Sequence, residues 1–184
     1  SKKEREAAGL YAADGTKLLE EAVKYEPGLH TVILSEGVQA QVPDYVRLVR
    51  VPEDVMVSIS PMETPQGALF LCRLPKKMAF EPRPGMLLLD GIQDPGNLGT
   101  ILRTADALDC GTVILAGDCA DPFSPQAVRA SMGAVFRHKI IEVPVSSLVE
   151  QAKDIGLPIY AAALDSTAYD LRELELPESY AFAI

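Results

Sequence analysis

The sequence predicts an α/β protein built from two domains. Apolar segments of strand length alternate with amphipathic segments of helical length along the chain. The stretch Pro75–Gly85 interrupts this alternation, because it holds three prolines and one glycine and follows neither period. We therefore predict a domain at residues 1–74, a semi-rigid linker at 75–84 and a second domain at 85–184.

In the first domain, predicted helices alternate with predicted strands. An apolar stripe at helical spacing marks Thr16–Tyr25 as a helix. Pro52 and the two acidic residues after it predict the start of a second helix, since proline suits the first turn and acids suit its positive end. Alternating or β-branched residues predict strands at Thr31–Ser35, Tyr45–Val51 and Gly67–Leu74. This order predicts a small α/β sandwich.

The second domain has a more regular pattern of strand followed by helix. Apolar runs predict strands at Met86–Leu89, Thr112–Ala116, Lys139–Val143, Pro158–Ala163 and Tyr180–Ile184. Helices are predicted at Leu98–Leu108, at Pro125–Met132 after the N-cap Ser124, and from the N-cap Ser146 to Ile155, with a helical turn at Tyr169–Leu174. This spacing predicts a mainly parallel sheet, whose ligands bind at the carboxyl ends of the strands.

The net charge of −9 disfavours a general affinity for nucleic acid. Residues 1–80 carry ten Lys/Arg against eleven Asp/Glu, whereas residues 81–184 carry seven against fifteen. A phosphate-binding surface must therefore be a local basic patch, although each cluster alone also fits an ordinary solvated face. The available clusters are Lys2, Lys3 and Arg5; Lys76, Lys77 and Arg83; and Arg129, Arg137 and Lys139.

Cysteine and histidine give no sign of a metal site or a disulfide framework. The three cysteines are odd in number and lack CxxC spacing, which is typical of reduced thiols in a cytoplasmic protein. His30 and His138 are isolated from each other and from further ligands, so we expect core or surface roles for them. Apolar runs of roughly four to six residues are far too short to span a membrane.

The segment from Leu89 to Asp106 carries the most chemical information. A strand runs into a turn rich in glycine and proline, and the turn runs into a helix. Glycines let the backbone approach a ligand, and the amides at a helix start favour anions. The segment is neither a Walker A loop nor GxGxxG, so its pattern alone predicts a generic phosphate- or nucleotide-binding turn.

The helix within this segment is predicted to point the side chain of one arginine away from its buried face. Apolar residues that recur every three or four positions form a stripe that must face the sheet. Arg103 points roughly 160° away from the centre of this stripe. Arg103 can therefore face a cleft or solvent, and Asn97 is predicted to lie in the turn. The stripe consists of Leu98, Ile101, Leu102, Ala105 and Leu108.

Asp94–Asp106 closely resembles the first motif of the SpoU family, which belongs to the SPOUT superfamily of RNA methyltransferases. The resemblance continues through Gly111–Leu115 and through Val128–Ala134, which is similar to the serine–glycine helix of the family. In the first domain, Asp14–Ala22 and Thr64–Gly67 resemble the substrate-binding domain that often precedes a SpoU domain. The resemblance covers almost the whole chain.

The resemblance implies transfer of a methyl group from S-adenosylmethionine to a ribose 2'-hydroxyl of tRNA or rRNA. It implies that Arg103 acts on the target ribose, that Asn97 helps to hold the active-site loop, and that Arg129, Ser131 and Lys17 contact RNA. The first domain would be an RNA-binding fold similar to some ribosomal proteins. No metal is implied, and the full-length protein would be a homodimer.

Two further family motifs, which build most of the cofactor pocket and a knot, are absent from this sequence. We therefore expect the cofactor-binding residues to lie mostly beyond Ile184, and the natural protein to continue past the strand-like 179–184. One alternative is a non-catalytic RNA-binding or ribosome-assembly protein with the same fold. A generic nucleotide-binding α/β domain is another, although no lysine-bearing phosphate loop supports it.

Overall fold

The computed structural model describes residues 1–76 and 78–184, so the predicted basic position Lys77 lies outside the described residues. The helices are α1 (Lys2–Ala8), α2 (Thr16–Tyr25), α3 (Glu53–Ile59), α4 (Pro95–Ala107), α5 (Pro125–Ala130) and α6 (Val145–Asp154), with 3₁₀ turns at Ala134–Phe136 and Leu171–Glu173. The strands are β1 (Leu10–Asp14), β2 (Leu29–Ser35), β3 (Arg47–Val51), β4 (Ala68–Arg73), β5 (Leu87–Asp90), β6 (Thr112–Ala116), β7 (Lys139–Glu142), β8 (Ile159–Ala161) and β9 (Ala181–Ala183).

The chain forms two compact units, and each unit combines three separate segments of the sequence. The first unit contains residues 1–76 together with 94–103 and 120–137. Among the described residues, the second unit contains 78–93, 104–119 and 138–184. Part of α4 and all of α5 therefore belong to the same unit as the amino-terminal residues. The linker at 75–84 between two domains remains a prediction.

The first unit is built on a four-stranded mixed sheet with the order β1-β4-β2-β3. β4 pairs antiparallel with β1 and β2, and β3 runs parallel to β2 at the edge. The apolar stripe predicted for α2 is confirmed, since Leu18, Leu19 and Ala22 are buried. Tyr11 is buried too, and its hydroxyl donates to Glu26 Oε2 at 2.8 Å, while burial raises the pKa of the Tyr11 hydroxyl.

The second unit is built on a five-stranded sheet with the order β7-β6-β5-β9-β8, in which every neighbouring pair is parallel. This confirms the predicted mainly parallel sheet. Its core joins the strands to α6 through side chains such as Leu88, Ile114, Ile141 and Leu148. The carboxyl ends of all five strands lie at one edge of the sheet, as parallel pairing requires.

Two elements, α1 and β1, lie where the sequence pattern predicts none. α1 buries no residue, so it has no apolar stripe that a periodicity could reveal. Its start is instead fixed by a capping box, in which the Ser1 hydroxyl accepts from the Glu4 amide and the Glu4 side chain reaches back to the N-cap backbone.

Several predicted boundaries were wrong for identifiable reasons. α4 begins at Pro95, because Asp94 Oδ1 accepts from the Asn97 amide at 2.7 Å and caps the helix; Asn97 therefore lies in the first helical turn. Leu108 lies beyond the end of α4 and is 73% exposed, so it does not belong to the apolar stripe. Pro144, not Ser146, is the N-cap of α6.

α5 starts after the N-cap Ser124 as predicted, and its side chain accepts from the Ala127 amide. The helix ends at Ala130, two residues before the predicted end. Met132 and Gly133 both adopt positive φ, at 50° and 91°, which a continuing helix does not allow. Among the described residues, no helix is both long and apolar enough to cross a lipid bilayer.

Gly99 lets α4 approach α5 more closely than any other residue would. A Cβ built at Gly99 lies 2.5 Å from the Ala127 carbonyl oxygen and 2.9 Å from the Ser131 amide nitrogen. These are backbone atoms, so a side-chain rotation cannot relieve the overlap. The two helices are therefore in direct backbone contact at this point, inside the first unit.

We expect Gly99→Ala to lower the free energy of unfolding by about 3 kcal/mol, because the new methyl group forces α4 away from α5. In a solvent-exposed helix the same change would raise the free energy of unfolding by about 1 kcal/mol. A decrease in the free energy of unfolding therefore indicates the close contact between α4 and α5. Urea unfolding of the purified protein measures the change. Gly111→Ala is the control, since a Cβ there meets nothing within 4 Å; equal stability of the two variants would contradict the close packing.

Candidate active site

The turn that leads into α4 is shaped by backbone and capping contacts. β5 ends at Asp90, and Gly91 follows with φ at 70°. The Gly91 amide donates to the Ala116 carbonyl oxygen at 3.3 Å, which holds this residue against the end of β6. Asp94 then caps α4, as described above, and the Thr100 hydroxyl donates to the Gly96 carbonyl oxygen at 2.9 Å.

Arg103 is exposed on α4, on the side away from the buried stripe. Leu98 and Leu102 are fully buried and Ala105 is 3% exposed, which confirms the predicted orientation of the helix. Within residues 1–76 and 78–184, no hydrogen bond or ion pair engages the Arg103 guanidinium. All of its donors are therefore available to an external anion.

The side chain of Asn97 is also exposed, and its position in the first turn follows from the Asp94 cap. Arg103 lies six positions after Asn97, which corresponds to about 9 Å along the helix axis. Both belong to the part of α4 that packs in the first unit. An amide and a guanidinium at this spacing can contact two adjacent groups of one extended ligand.

Ser131 does not have the position that the resemblance implies for an RNA contact. Its side chain is fully buried, and its hydroxyl donates to the Val128 carbonyl oxygen at 2.7 Å. The same hydroxyl accepts from the Val135 amide at 3.5 Å. This burial contradicts a direct RNA contact, and it makes Ser131 a packing residue that closes the end of α5.

The other two predicted RNA-binding residues have accessible side chains. Lys17 is exposed in the first turn of α2, whose N-cap Gly15 provides no side-chain cap. Arg129 is half-buried in the last turn of α5. Neither forms an ion pair in the described part of the chain, and both lie in the first unit with Asn97 and Arg103.

The second unit contains an open cavity of about 450 Å³ at the carboxyl ends of its strands. Asp90 and Ala116 line it from β5 and β6, Ala161 and Ala183 line it from β8 and β9, and α6 forms another wall. A cavity of this size, mostly apolar and with few polar groups, is typical of small-molecule sites. Asp90 and Lys153 are the charged residues in its lining.

This lining fits part of S-adenosylmethionine. Apolar walls suit an adenine ring, and the Asp90 carboxylate can accept hydrogen bonds from ribose hydroxyls. No residue of the cavity was singled out from the sequence. The sequence nevertheless contained a feature that points to this cavity. Asp90 directly follows the predicted strand Met86–Leu89, and parallel sheets bind ligands at the carboxyl ends of their strands.

Two family models cover most of the chain. Residues 84–184 match the SpoU rRNA Methylase family, and residues 1–69 match the MRM3-like substrate binding domain.

Curated relatives and solved structures agree with these matches. The chain is 32% identical to the 23S rRNA (guanosine(2553)-2'-O)-methyltransferase RlmP of Bacillus subtilis, covering all of this chain and 73% of the relative. It is 36% identical to the mitochondrial rRNA methyltransferase 3 of Xenopus laevis, over 88% of this chain and 42% of that relative.

Among solved structures, a Porphyromonas gingivalis protein assigned to the TrmH family of RNA methyltransferases superposes with a TM-score of 0.89 at 32% identity, covering all of this chain and 74% of that one. An AdoMet-bound rRNA methyltransferase from Sinorhizobium meliloti gives 0.84 at 28% identity, over all of this chain and 72% of that one. With Asn97 and Arg103 exposed on the helix that carries the family's first motif, this chain belongs to the SpoU rRNA methylase family.

Proposed function

We propose that the protein transfers a methyl group from S-adenosylmethionine to a ribose 2'-hydroxyl of ribosomal RNA. The observation that carries this proposal is Arg103, whose guanidinium is exposed on the motif helix and has no partner among the described residues. The relatives named above support ribosomal over transfer RNA, since their names specify rRNA. The substrate-binding match at residues 1–69 supports a polymeric RNA substrate.

The reaction is a displacement at carbon: a C–O bond forms to the ribose oxygen, the C–S bond breaks and its electron pair leaves with the sulfur as the neutral thioether S-adenosylhomocysteine, and the hydroxyl proton passes to solvent water. S-adenosylmethionine supplies the methyl group and a good leaving group when bound. The protein must hold the hydroxyl in line, exclude competing water and stabilise charge on the oxygen. A metal is not needed for any of these steps.

Arg103 contributes electrostatic stabilisation in this proposal. A free guanidinium has a pKa of roughly 12.5–13.8, so its neutral form is too scarce to serve as a general base near neutral pH. Its planar donors instead bind the phosphate beside the target ribose and stabilise the developing alkoxide. The Asn97 amide can hold the neighbouring part of the nucleotide, because it presents both donors and an acceptor at the surface.

Arg103→Lys tests this role in the complete protein. Lysine keeps the charge but loses the planar pair of donors, so we expect turnover to fall by about 100-fold while RNA affinity changes by only a few-fold. Methyl transfer from labelled S-adenosylmethionine to an rRNA fragment measures turnover, and a filter-binding assay measures affinity.

Arg172→Lys is the matched control, because Arg172 is an exposed arginine already paired with Asp170. Near-normal turnover of the Arg103 variant would refute the proposed role. If the unaltered protein binds RNA but transfers no methyl group, the non-catalytic alternative is correct.

We propose that Lys17 and Arg129 bind RNA phosphates. Lys17→Ala is then expected to weaken RNA binding similarly for different sequences, and to reduce the slope of log affinity against log salt by about one. Binding titrations at several salt concentrations measure this slope. Lys24→Ala at the opposite end of α2 is the control, and an equal slope change in both variants would argue against a specific phosphate contact by Lys17.

We further propose that the complete protein is a homodimer and acts in the cytosol. The family resemblance supports the dimer, and the Bacillus relative supports a bacterial rRNA substrate. Sedimentation equilibrium of the complete protein is expected to give twice the mass of one chain at micromolar concentration. A monomer mass across that range would exclude the dimer.

A further inference from the structure

We propose that the ion pair between Arg5 and Asp121 is a positioning element for methyl transfer: it fixes α5, and through α5 it fixes the helix that carries Asn97 and Arg103. The inference rests on the proposed function. It adds a role for two residues that no sequence motif singles out. One path of contacts, all inside the first compact unit, joins the ion pair to α4.

The path begins where the two family matches meet in space. Arg5 lies in the segment that matches the substrate-binding domain, and Asp121 lies in the segment that matches the methylase family. The Arg5 Nη2 donates to Asp121 Oδ2, and the two side chains are only 18% and 14% exposed. Beside them, the rings of Tyr11 and Phe123 pack with their centroids 5.0 Å apart.

Asp121 also shapes the turn that leads into α5. Its second carboxylate oxygen, Oδ1, accepts from the Phe123 amide at 2.8 Å, and its carbonyl oxygen accepts from the Ser124 amide at 3.1 Å. Ser124 is the N-cap of α5. One carboxylate therefore binds α1 with one oxygen and orders the start of α5 with the other.

A backbone contact links α5 to α4. At Gly99 the two helices are in backbone contact, with no space even for a methyl group. Gly99 lies two residues after Asn97 and four residues before Arg103. A shift of α5 must therefore move the segment that presents both candidate site residues, because the contact leaves no gap in which the shift could be absorbed.

Stability alone does not explain this ion pair. The Arg5 Nε is buried and has no hydrogen-bond partner, which costs free energy. A partly buried pair with such a defect stabilises a fold little, and apolar side chains can replace such pairs without loss. What the pair does provide is a fixed direction and distance between α1 and the turn before α5.

Other contacts would keep α5 folded if the pair were removed. The rings of Phe70 and Phe136 pack with centroids 6.3 Å apart, which holds the 3₁₀ turn after α5 against β4. Arg137 pairs with Glu21 of α2 and lies over the Tyr25 ring, 5.0 Å from its centroid. Loss of the Arg5–Asp121 pair should therefore shift the first turn of α5, which contains the Ala127 carbonyl that contacts Gly99, without unfolding the helix.

The experiment uses the complete protein with Arg5→Met, Asp121→Asn, the double variant and the conservative Arg5→Lys. Single-turnover methyl transfer is measured at saturating rRNA fragment and S-adenosylmethionine, beside the dissociation constant for the fragment and the thermal midpoint. We expect each neutral single variant to slow transfer at least about tenfold, since small misplacements of catalytic groups reduce rates strongly. RNA affinity should stay within about twofold. Each neutral single variant leaves one charge buried without its partner and should lower the thermal midpoint, whereas the double variant removes both charges and should keep the midpoint within a few degrees.

Two further results are expected if the pair acts as a unit. The double variant should be no slower than the slower single variant, because the second change removes nothing that is still present. Arg5→Lys should recover most of the rate, since it restores the charge. Glu81→Gln is the control, because it removes the Arg83–Glu81 pair, whose side chains are both 63% exposed.

Unchanged transfer in both neutral variants would overturn the inference. So would a loss of rate confined to the variants with a lower thermal midpoint, or a loss of RNA affinity at an unchanged rate. If Arg5→Met does not fold, Asp121→Asn and Arg5→Lys decide the question by the same criteria. An unaltered protein without methyl transfer would instead refute the proposed function, so the two failures are distinguishable.

Discussion

The backbone contact between α4 and α5 at Gly99 is the constraint on which the candidate site depends. Because a Cβ would overlap the Ala127 carbonyl and the Ser131 amide, neither helix can move independently at this point. The buried Ser131 hydroxyl closes the end of α5 by bonding within its own turn. Gly99 and Ser131 therefore have packing roles in the structure, whereas the Arg103 side chain is exposed.

The second unit contains the open cavity described above. Its all-parallel sheet brings the carboxyl ends of five strands to one edge, and the 450 Å³ cavity opens there. This follows from pairing alone, since parallel strands need crossovers and their ends must align. The motif segment starts at this edge with Asp90 and continues into α4, so a single stretch of chain contributes to both units.

Local patterns predicted most of the elements, and long-range contacts account for what they missed. α2 matches its predicted bounds because its apolar stripe is unbroken, and β6 matches because it is a short run of almost entirely apolar residues. α1 has no buried face, so hydrophobic periodicity missed it, although its Ser1–Glu4 capping box is a local sequence signal. Asn97 was misplaced because the Asp94 cap starts α4 early. The Arg5–Asp121 pair joins residues 116 positions apart, a separation that no periodicity reports.

The net negative charge of the chain, which disfavours binding of RNA, lies mostly in the second unit. The described residues of the first unit include twelve Lys/Arg and thirteen Asp/Glu, whereas those of the second include four and thirteen. Lys17, Arg103 and Arg129 all belong to the nearly neutral first unit, where a polyanion meets little repulsion. An acidic second unit instead favours a cationic ligand, and the sulfonium of S-adenosylmethionine is a cation. The division of charge between residues 1–80 and 81–184 in the sequence is therefore retained by the two units of the folded chain.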